Sequence, residues 1–383
     1  MARVQEAGRW PNPEQEALLR AAFLPGAEAL VSWRDLTAKT TVEEFEGASH
    51  CLLPLVYHNL QAHGVTDAGI QKLKGTYRYT WYKNASSLEE IAGLLRAFRD
   101  DGIEVLVRRD VALALRYYAR PGLRAMNGLH LQVHPDVAMS ALAVPARCGW
   151  HPLMPSPQFG LRDGRSCAFA HASGRRVLLS SHMLRPDVDD HTVWTTSEEL
   201  AVGEEPARVV GATDALLDSC TPDSCAPGAE WDAGSPAQRV ADAATILSNA
   251  GDEVDWDRLA FRAQQSAMVS TVRATLSYLH RMLQAPVPAT VLEAMAPLHP
   301  SPLDRLEYQA IPGAADPITA GRILWHRYRR LGSEAGGSGP LGFPRYVQRV
   351  WGYERGWQAA VHAGHAVVRE VQREVSQLRV RGT

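Results

Sequence analysis

The sequence has few cysteines, almost no excess of either charge and no long apolar run. Five Cys stand among 383 residues, at positions 51, 148, 167, 220 and 225. Their number is odd and no framework spacing joins them, so a reducing, cytoplasmic compartment is the simpler reading than a disulfide-stapled one. No stretch approaches the roughly 18 apolar residues of a membrane span, so no membrane partner is expected. The opening run Met1 to Arg9 lacks an apolar core, so no secretion signal is expected. Lys plus Arg is 40 against 42 Asp plus Glu, a net charge of −2. A nucleic-acid partner held by bulk positive charge is excluded on that balance. Gly (30) and Pro (24) are too few for a fibrous or low-complexity chain, and no internal repeat is found. What is there is ordinary globular material, 45% hydrophobic and 21% charged. At roughly 100–200 residues per domain the length suits two or three domains. Ten Trp are many, and most fall in helical stretches where core packing accounts for them.

The first hundred residues read as a helical region, 1–100. Asn12-Pro13-Glu14 is a helix start, with Asn12 as cap and Pro13 at the first helical position. Cys51 to Leu60 repeats apolar residues at helical spacing. A longer helix is predicted from Ala68 to Arg99, its aromatics (Tyr77, Tyr79, Trp81, Tyr82, Phe98) suited to packing on two sides. The pattern changes at Asp101-Gly102. Ile103 to Val107 predicts a buried strand, Asp110 to Tyr118 a helix, Leu129 to Val133 a second strand and Asp136 to Cys148 another helix. Cys167 to His171 and Arg176 to Ser181 then predict a hairpin. From Ser197 the chain reads as helical to its end, 197–383. It is interrupted by a Pro/Asp/Gly-rich loop from Cys220 to Gly234 and a flexible connection from Gly332 to Pro344. Trp256 to Leu283 predicts one long amphipathic helix begun by Asp255, and Tyr353 to Arg379 a last helix with a basic end, Arg373 to Arg381, read as a solvated helix end. The fold class is therefore α+β, a small mixed sheet in 101–196 flanked by N- and C-terminal helical regions.

Several segments carry a resemblance. They are Cys51 to Leu60, Leu73-Lys74-Gly75 with Tyr79 to Tyr82, Gly102 to Leu106, Tyr117-Tyr118, Pro121 to Arg124 and Gly149-Trp150. Downstream come Asp255 to Leu259, Ala285 to Pro288 and Leu341 to Arg345. In this order and spacing they resemble a broad family of bacterial nucleotidyltransferase-like proteins, with a core akin to aminoglycoside nucleotidyltransferases. The resemblance implies a nucleotidyltransferase-like sheet. It also implies a Leu-Lys-Gly motif before a helix, an Asp-x-Asp pair on the next strand and a third acid on a later one. Alternate acids on a strand share one face and hold Mg²⁺ against a triphosphate. The third acid completes the metal site or activates the acceptor hydroxyl.

This chain departs from each of those motifs. Arg108-Arg109-Asp110 stands where the Leu-Lys-Gly motif is expected, and the Asp-x-Asp pair falls on Gly128 and His130. The third acid falls within Val177 to His182, which holds no carboxylate. These losses imply a degenerate member without a metal site, without a cofactor and without ordinary nucleotidyl transfer. Gly128, His130 and Gln132 share one strand face by period two, and the resemblance turns that face toward the former cleft. His130 is then either a general acid or base near neutral pH, or a neutral imidazole filling a vacated polar position. His134 lies just past the strand end, leaning toward the same cleft, and His171 and His182 flank the hairpin. No compact spacing among the four supports zinc. Arg108 and Arg109 precede a helix N-terminus, a place that favours anions. Either Arg109 grips a carboxylate or phosphate with Arg124 across the cleft, or Asp110 caps the helix and the arginines form ion pairs. Arg124 matches an Arg that the family retains. Cys220 and Cys225 read as free thiols, and Asp187, Asp189 and Asp190 as a solvated loop.

Two functions follow. In the first, His130 is catalytic, and Arg108, Arg109, Asp110, Arg124, Gln132 and His134 bind an anionic small molecule or peptide. The cleft then carries out metal-free tailoring chemistry in a bacterial biosynthetic pathway. In the second, the protein is a non-catalytic pseudo-enzyme that binds or scaffolds a peptide or a pathway protein.

Overall fold

The structure is a computed structural model describing residues 9–66, 68–153, 158, 161, 166–221, 235–310, 317–331 and 342–350. The expected helix at 353–379, its basic end at 373–381, Cys225 and most of the two expected loops lie outside the described residues.

The N-terminal helices are α1 (Pro13–Phe23), α2 (Gly26–Thr37), α3 (Leu53–Ala62) and the long α4 (Ala68–Asp100). Asn12 caps α1 as its sequence predicts, accepting from the Gln15 amide while the Gln15 side chain accepts from the Asn12 amide. A mixed sheet follows, built from β1 (Val105–Arg108), β2 (Leu129–Val133), β3 (His151–Pro152), β4 (Ser166–Ala170), β5 (Arg176–Ser180), β6 (Glu198–Val202) and β7 (Glu205–Val209). The strand order is β3-β4-β5-β2-β1-β7-β6. Strands β2 and β5 run parallel, as do β1 and β7, while β1 and β2 run antiparallel with Arg108 opposite His130. Helix α5 (Arg109–Arg116) leaves β1 directly. After the sheet come α6 (Ala212–Cys220), α7 (Pro236–Ala250), α8 (Trp256–Gln265) and α9 (Val269–Leu283). Among the described residues four further helices lie between Ala289 and Val350.

The two sheet faces differ in chemistry. Leu129, Leu131 and Val133 of β2 point to one face, where they pack with Leu94, Leu95 and Phe98 of α4 in an apolar core. The alternate residues His130 and Gln132 point to the other face and are also buried. That second face lies under α6 and the segment from Ser181 to Asp190. A second, larger core joins α1, α3, α6, α7 and α9 around Leu106 and Leu113.

Four expectations need correction. The helical reading from Ser197 fails at once, because Glu198–Val209 is a hairpin that extends the sheet on its β1 side. Pro206 and three Glu argue against a strand, yet Pro206 stands near the start of β7, ahead of the residues that pair with β1, and Gly203 (φ 63°) supplies the left-handed residue of the tight turn. The single helix expected over Trp256 to Leu283 is two helices. The break falls at Ala267 (φ 56°), although the apolar period runs on and neither Gly nor Pro marks it. The acidic run is not wholly solvated, since Asp190 is buried. Helix α4 packs on one side only over its first half. Tyr79, Trp81 and Tyr82 stand in solvent there, because the residues that meet the core are Leu73, Thr80 and Asn84. Among the described residues no helix is long and apolar enough to cross a membrane.

Candidate functional site

The face carrying His130 is built from three adjacent strands. Arg108 of β1 is opposite His130 of β2, and His130 is in register with Leu178 of β5. Gln132 pairs in the same way with Leu106 and Ser180. No carboxylate projects from these strand positions. The acids on this face come from elsewhere: Asp110 from α5, Asp190 from the loop after β5, Asp218 from α6 and Asp242 from α7.

Each of these acids is engaged by cations or amide donors. Arg108 donates through Nε (3.1 Å) and Nη2 (2.8 Å) to Asp218 Oδ2. Its Nη2 also donates to the Met183 carbonyl at 2.9 Å. Arg109 Nε donates to the other oxygen, Asp218 Oδ1, at 3.0 Å. Arg109 holds a left-handed backbone (φ 49°), a strained state for a side chain with a Cβ, at the strand-to-helix corner. Its bond to Asp218 helps to hold that corner. Arg124 makes a fork onto Asp242, Nε to Oδ1 and Nη2 to Oδ2, both at 2.8 Å. Arg124 Nη2 also lies 2.8 Å from Asp110 Oδ1. Asp242 further accepts from Tyr118 Oη (2.6 Å) and Gln238 Nε2 (3.0 Å). Asp190 Oδ2 accepts from Gln132 Nε2 at 2.9 Å and from the Met183 amide at 2.6 Å, and its Oδ1 accepts from Arg262 Nη2 at 3.0 Å.

The electrostatics follow from this pairing. Burial opposes ionisation of Asp110, but Arg124, His130 and the Asn127 amide hold its carboxyl below the ordinary range. Burial likewise opposes ionisation of Asp218, which Arg108, Arg109 and His130 keep low. His130 therefore lies within electrostatic reach of both acids, with 5% of its surface exposed. Burial and the neighbouring Asp242 push the Tyr118 phenol well above its usual range. One acid behaves differently: burial raises Asp214 despite the nearby Arg258 and Arg262.

The structure thus brings together six of the seven residues singled out in the sequence, namely Arg108, Arg109, Asp110, Arg124, His130 and Gln132. His134 is apart from them. It lies beyond the other end of β2, stacked on Trp194 (3.8 Å between ring centres) and 3.7 Å from Glu104. In an antiparallel pair the strand end near Val105 is remote from the Arg108 end, which explains the separation. His171 and His182 are not cleft partners either, since His171 bonds Ser173 and pairs with Glu90, and His182 bonds Ser181. Asp110 is not a helix cap. It is the second residue of α5, and its Oδ2 accepts from the Asn127 (2.7 Å) and Gly128 (3.2 Å) amides across the sheet. Sequence reading missed Asp190, Asp214, Asp218, Asp242, Arg258 and Arg262. Two spacings pointed to some of them: Asp214 and Asp218, and Arg258 and Arg262, each lie one helical turn apart, the first pair on a helix otherwise rich in core residues.

The model of a family described as uncharacterised nucleotidyltransferase matches residues 47–284, more than half of the chain. The chain belongs to this nucleotidyltransferase family. No curated protein matches it. The matched span takes in the whole sheet, α3 to α9 and every residue of the Arg–Asp network.

Nucleotidyl transfer needs a divalent cation held by carboxylate oxygens that no other cation occupies. The residues on this face do not fit that group. Gly128, just before β2, and His130, on it, stand where alternate acids would be needed, and Asp110, Asp190, Asp218 and Asp242 already bond guanidinium or amide donors. Among the described residues no group of three or more His, Cys, Asp or Glu side chains is arranged to hold a metal ion.

Proposed function

We propose that this member of the nucleotidyltransferase family is a partner-binding protein, with a cleft stabilised from within rather than kept open for Mg²⁺-nucleotide. The observation that carries this reading is the pairing of Arg124, which reaches Asp242 with a two-bond fork and Asp110 with the same guanidinium. An arginine kept for an anionic substrate would present its fork to the cleft. This fork is spent on the protein itself, as are Arg108 and Arg109 on Asp218. The alternative, metal-free tailoring by His130, needs that ring to meet a substrate. Its 5% exposure and its place between two acids favour a packing role instead.

The test is isothermal titration calorimetry of the full chain with ATP and Mg²⁺, repeated with EDTA. The reading predicts no heat of binding at micromolar nucleotide in either case. A saturable signal that EDTA removes would overturn it and return the protein to nucleotidyl transfer.

A further inference from the structure

The first half of α4 carries a surface that the closed cleft does not explain. Between residues 68 and 88 the helix holds Lys72, Lys74, Arg78 and Lys83 and no acid. Interleaved with these cations are three large aromatics in solvent: Tyr79 is 67% exposed, Trp81 53% and Tyr82 70%. Three of the large hydrophobic residues exposed among the described residues thus fall within one helical turn. Arg78, Tyr79, Tyr82 and Lys83 follow the helical spacing that puts them on one face, with Trp81 at its edge. Among the described residues neither Arg78 nor Lys83 forms an ion pair, whereas Lys72 pairs with Glu43.

The helix is also braced from behind this face. Asn84 lies on the opposite side of α4 and clamps the chain that follows α5. Its Nδ2 donates to the Pro121 and Arg124 carbonyls, each at 2.7 Å, and its Oδ1 accepts from the Met126 amide at 3.1 Å. Gly122 fits against the root of Trp81 so closely that an added Cβ would lie 2.9 Å from Trp81 Cβ. A side chain there would push the helix away from the turn.

Exposed aromatics cost free energy unless something covers them, and Trp, Tyr and Arg are the residue types that dominate binding surfaces. The cations around them select the sign of the occupant. We infer that this face of α4 docks an acidic peptide segment of a partner protein, one with carboxylates spaced around its own apolar side chains. Nucleic acid is the weaker fit: this face offers three unpaired cations among the described residues, Lys74, Arg78 and Lys83, where a phosphate backbone engages roughly six to ten, and the whole chain carries −2. The inference concerns the surface of α4 and not the cleft, so it and the proposed function fail in different assays.

The probe is a phage library of random dodecapeptides, panned on the full chain. Panning is repeated on the double variants Arg78→Glu/Lys83→Glu and Tyr79→Ala/Tyr82→Ala. All four positions are exposed, and unchanged melting temperatures will show that the variants fold. The expected result is enrichment of peptides rich in Asp and Glu with interspersed aromatic or aliphatic residues. The recovered peptides, labelled and measured by fluorescence anisotropy, should bind each double variant at least about tenfold more weakly, and wild type more weakly as salt rises. Absence of enrichment, recovered peptides without an acidic excess, or equal binding to the variants would overturn the inference. So would tighter binding of a single-stranded oligonucleotide of equal charge, which would mark a nucleic-acid surface.

Discussion

Asp218 is the residue on which the closed cleft most depends, because one carboxylate neutralises two arginines. Asp218→Asn would leave Arg108 and Arg109 inside the protein without their counter-charge. Removing one partner of a buried ion pair costs about 3–5 kcal/mol, so the variant should unfold at clearly lower urea concentration than wild type. The same residue sets a pH response. Asp110 and Asp218 ionise more readily in the folded protein than in the unfolded chain, where Asp titrates at about 3.9. Their contribution is therefore fully present above that value and is lost as pH falls through the lower folded values. Urea midpoints measured from neutral to strongly acid pH should fall across that window. In Asp218→Asn the fall should be shallower, with the remainder due to Asp110. An unchanged profile would show that Asp218 is not held ionised by its arginines.

Among the elements, α9 ends on a residue that strains it. Gln284, its C-terminal cap, takes a left-handed conformation (φ 52°) in which Ala285 donates back to the Leu279 carbonyl. Glycine reaches that conformation without a Cβ penalty. Gln284→Gly should therefore raise stability by about 0.5–1 kcal/mol, read as a higher melting temperature. The side-chain bonds lost among those described are the two exposed ones from Gln284 Nε2 to the Glu28 carboxylate. Local rules of this kind made much of the fold legible. Strand β2 lies where its alternation put it, Asn12 and Asp255 cap the helices they precede, and α4 runs one residue beyond its expected end. What local rules missed was decided by tertiary context. Strand β6 is the sheet edge and can carry Glu, and β7 holds Pro206 ahead of the residues that pair with β1. The α8–α9 break at Ala267 carries no breaker residue because buried packing, and not local preference, holds it. The candidate site was half legible. Its arginines and His130 stand out against the motifs this chain resembles, but their acid partners, Asp218 and Asp242, lie more than a hundred residues further along the chain.

In the whole molecule the Arg–Asp pairs connect what the chain order separates. Arg108, Arg109 and Arg124 belong to the sheet region, and Asp218 and Asp242 to helices after it, so their bonds fasten the helices over the polar sheet face. Arg262 of α8 adds a third tie through Asp190 to Gln132 of β2. These charge pairs cover the polar face of the sheet in this chain. On the outside, α4 presents the exposed aromatics Tyr79, Trp81 and Tyr82 beside Arg78 and Lys83. The central claim is that Arg109 and Arg124 are satisfied from within, and it is tested most directly by a crystal structure grown in high sulfate with Mg²⁺ and a non-hydrolysable ATP analogue. The account predicts that Arg109 remains on Asp218 and Arg124 on Asp242, with neither sulfate nor nucleotide phosphate within hydrogen-bond reach of either guanidinium. An anion bonded to Arg109 or Arg124, with Asp218 or Asp242 released, would contradict it.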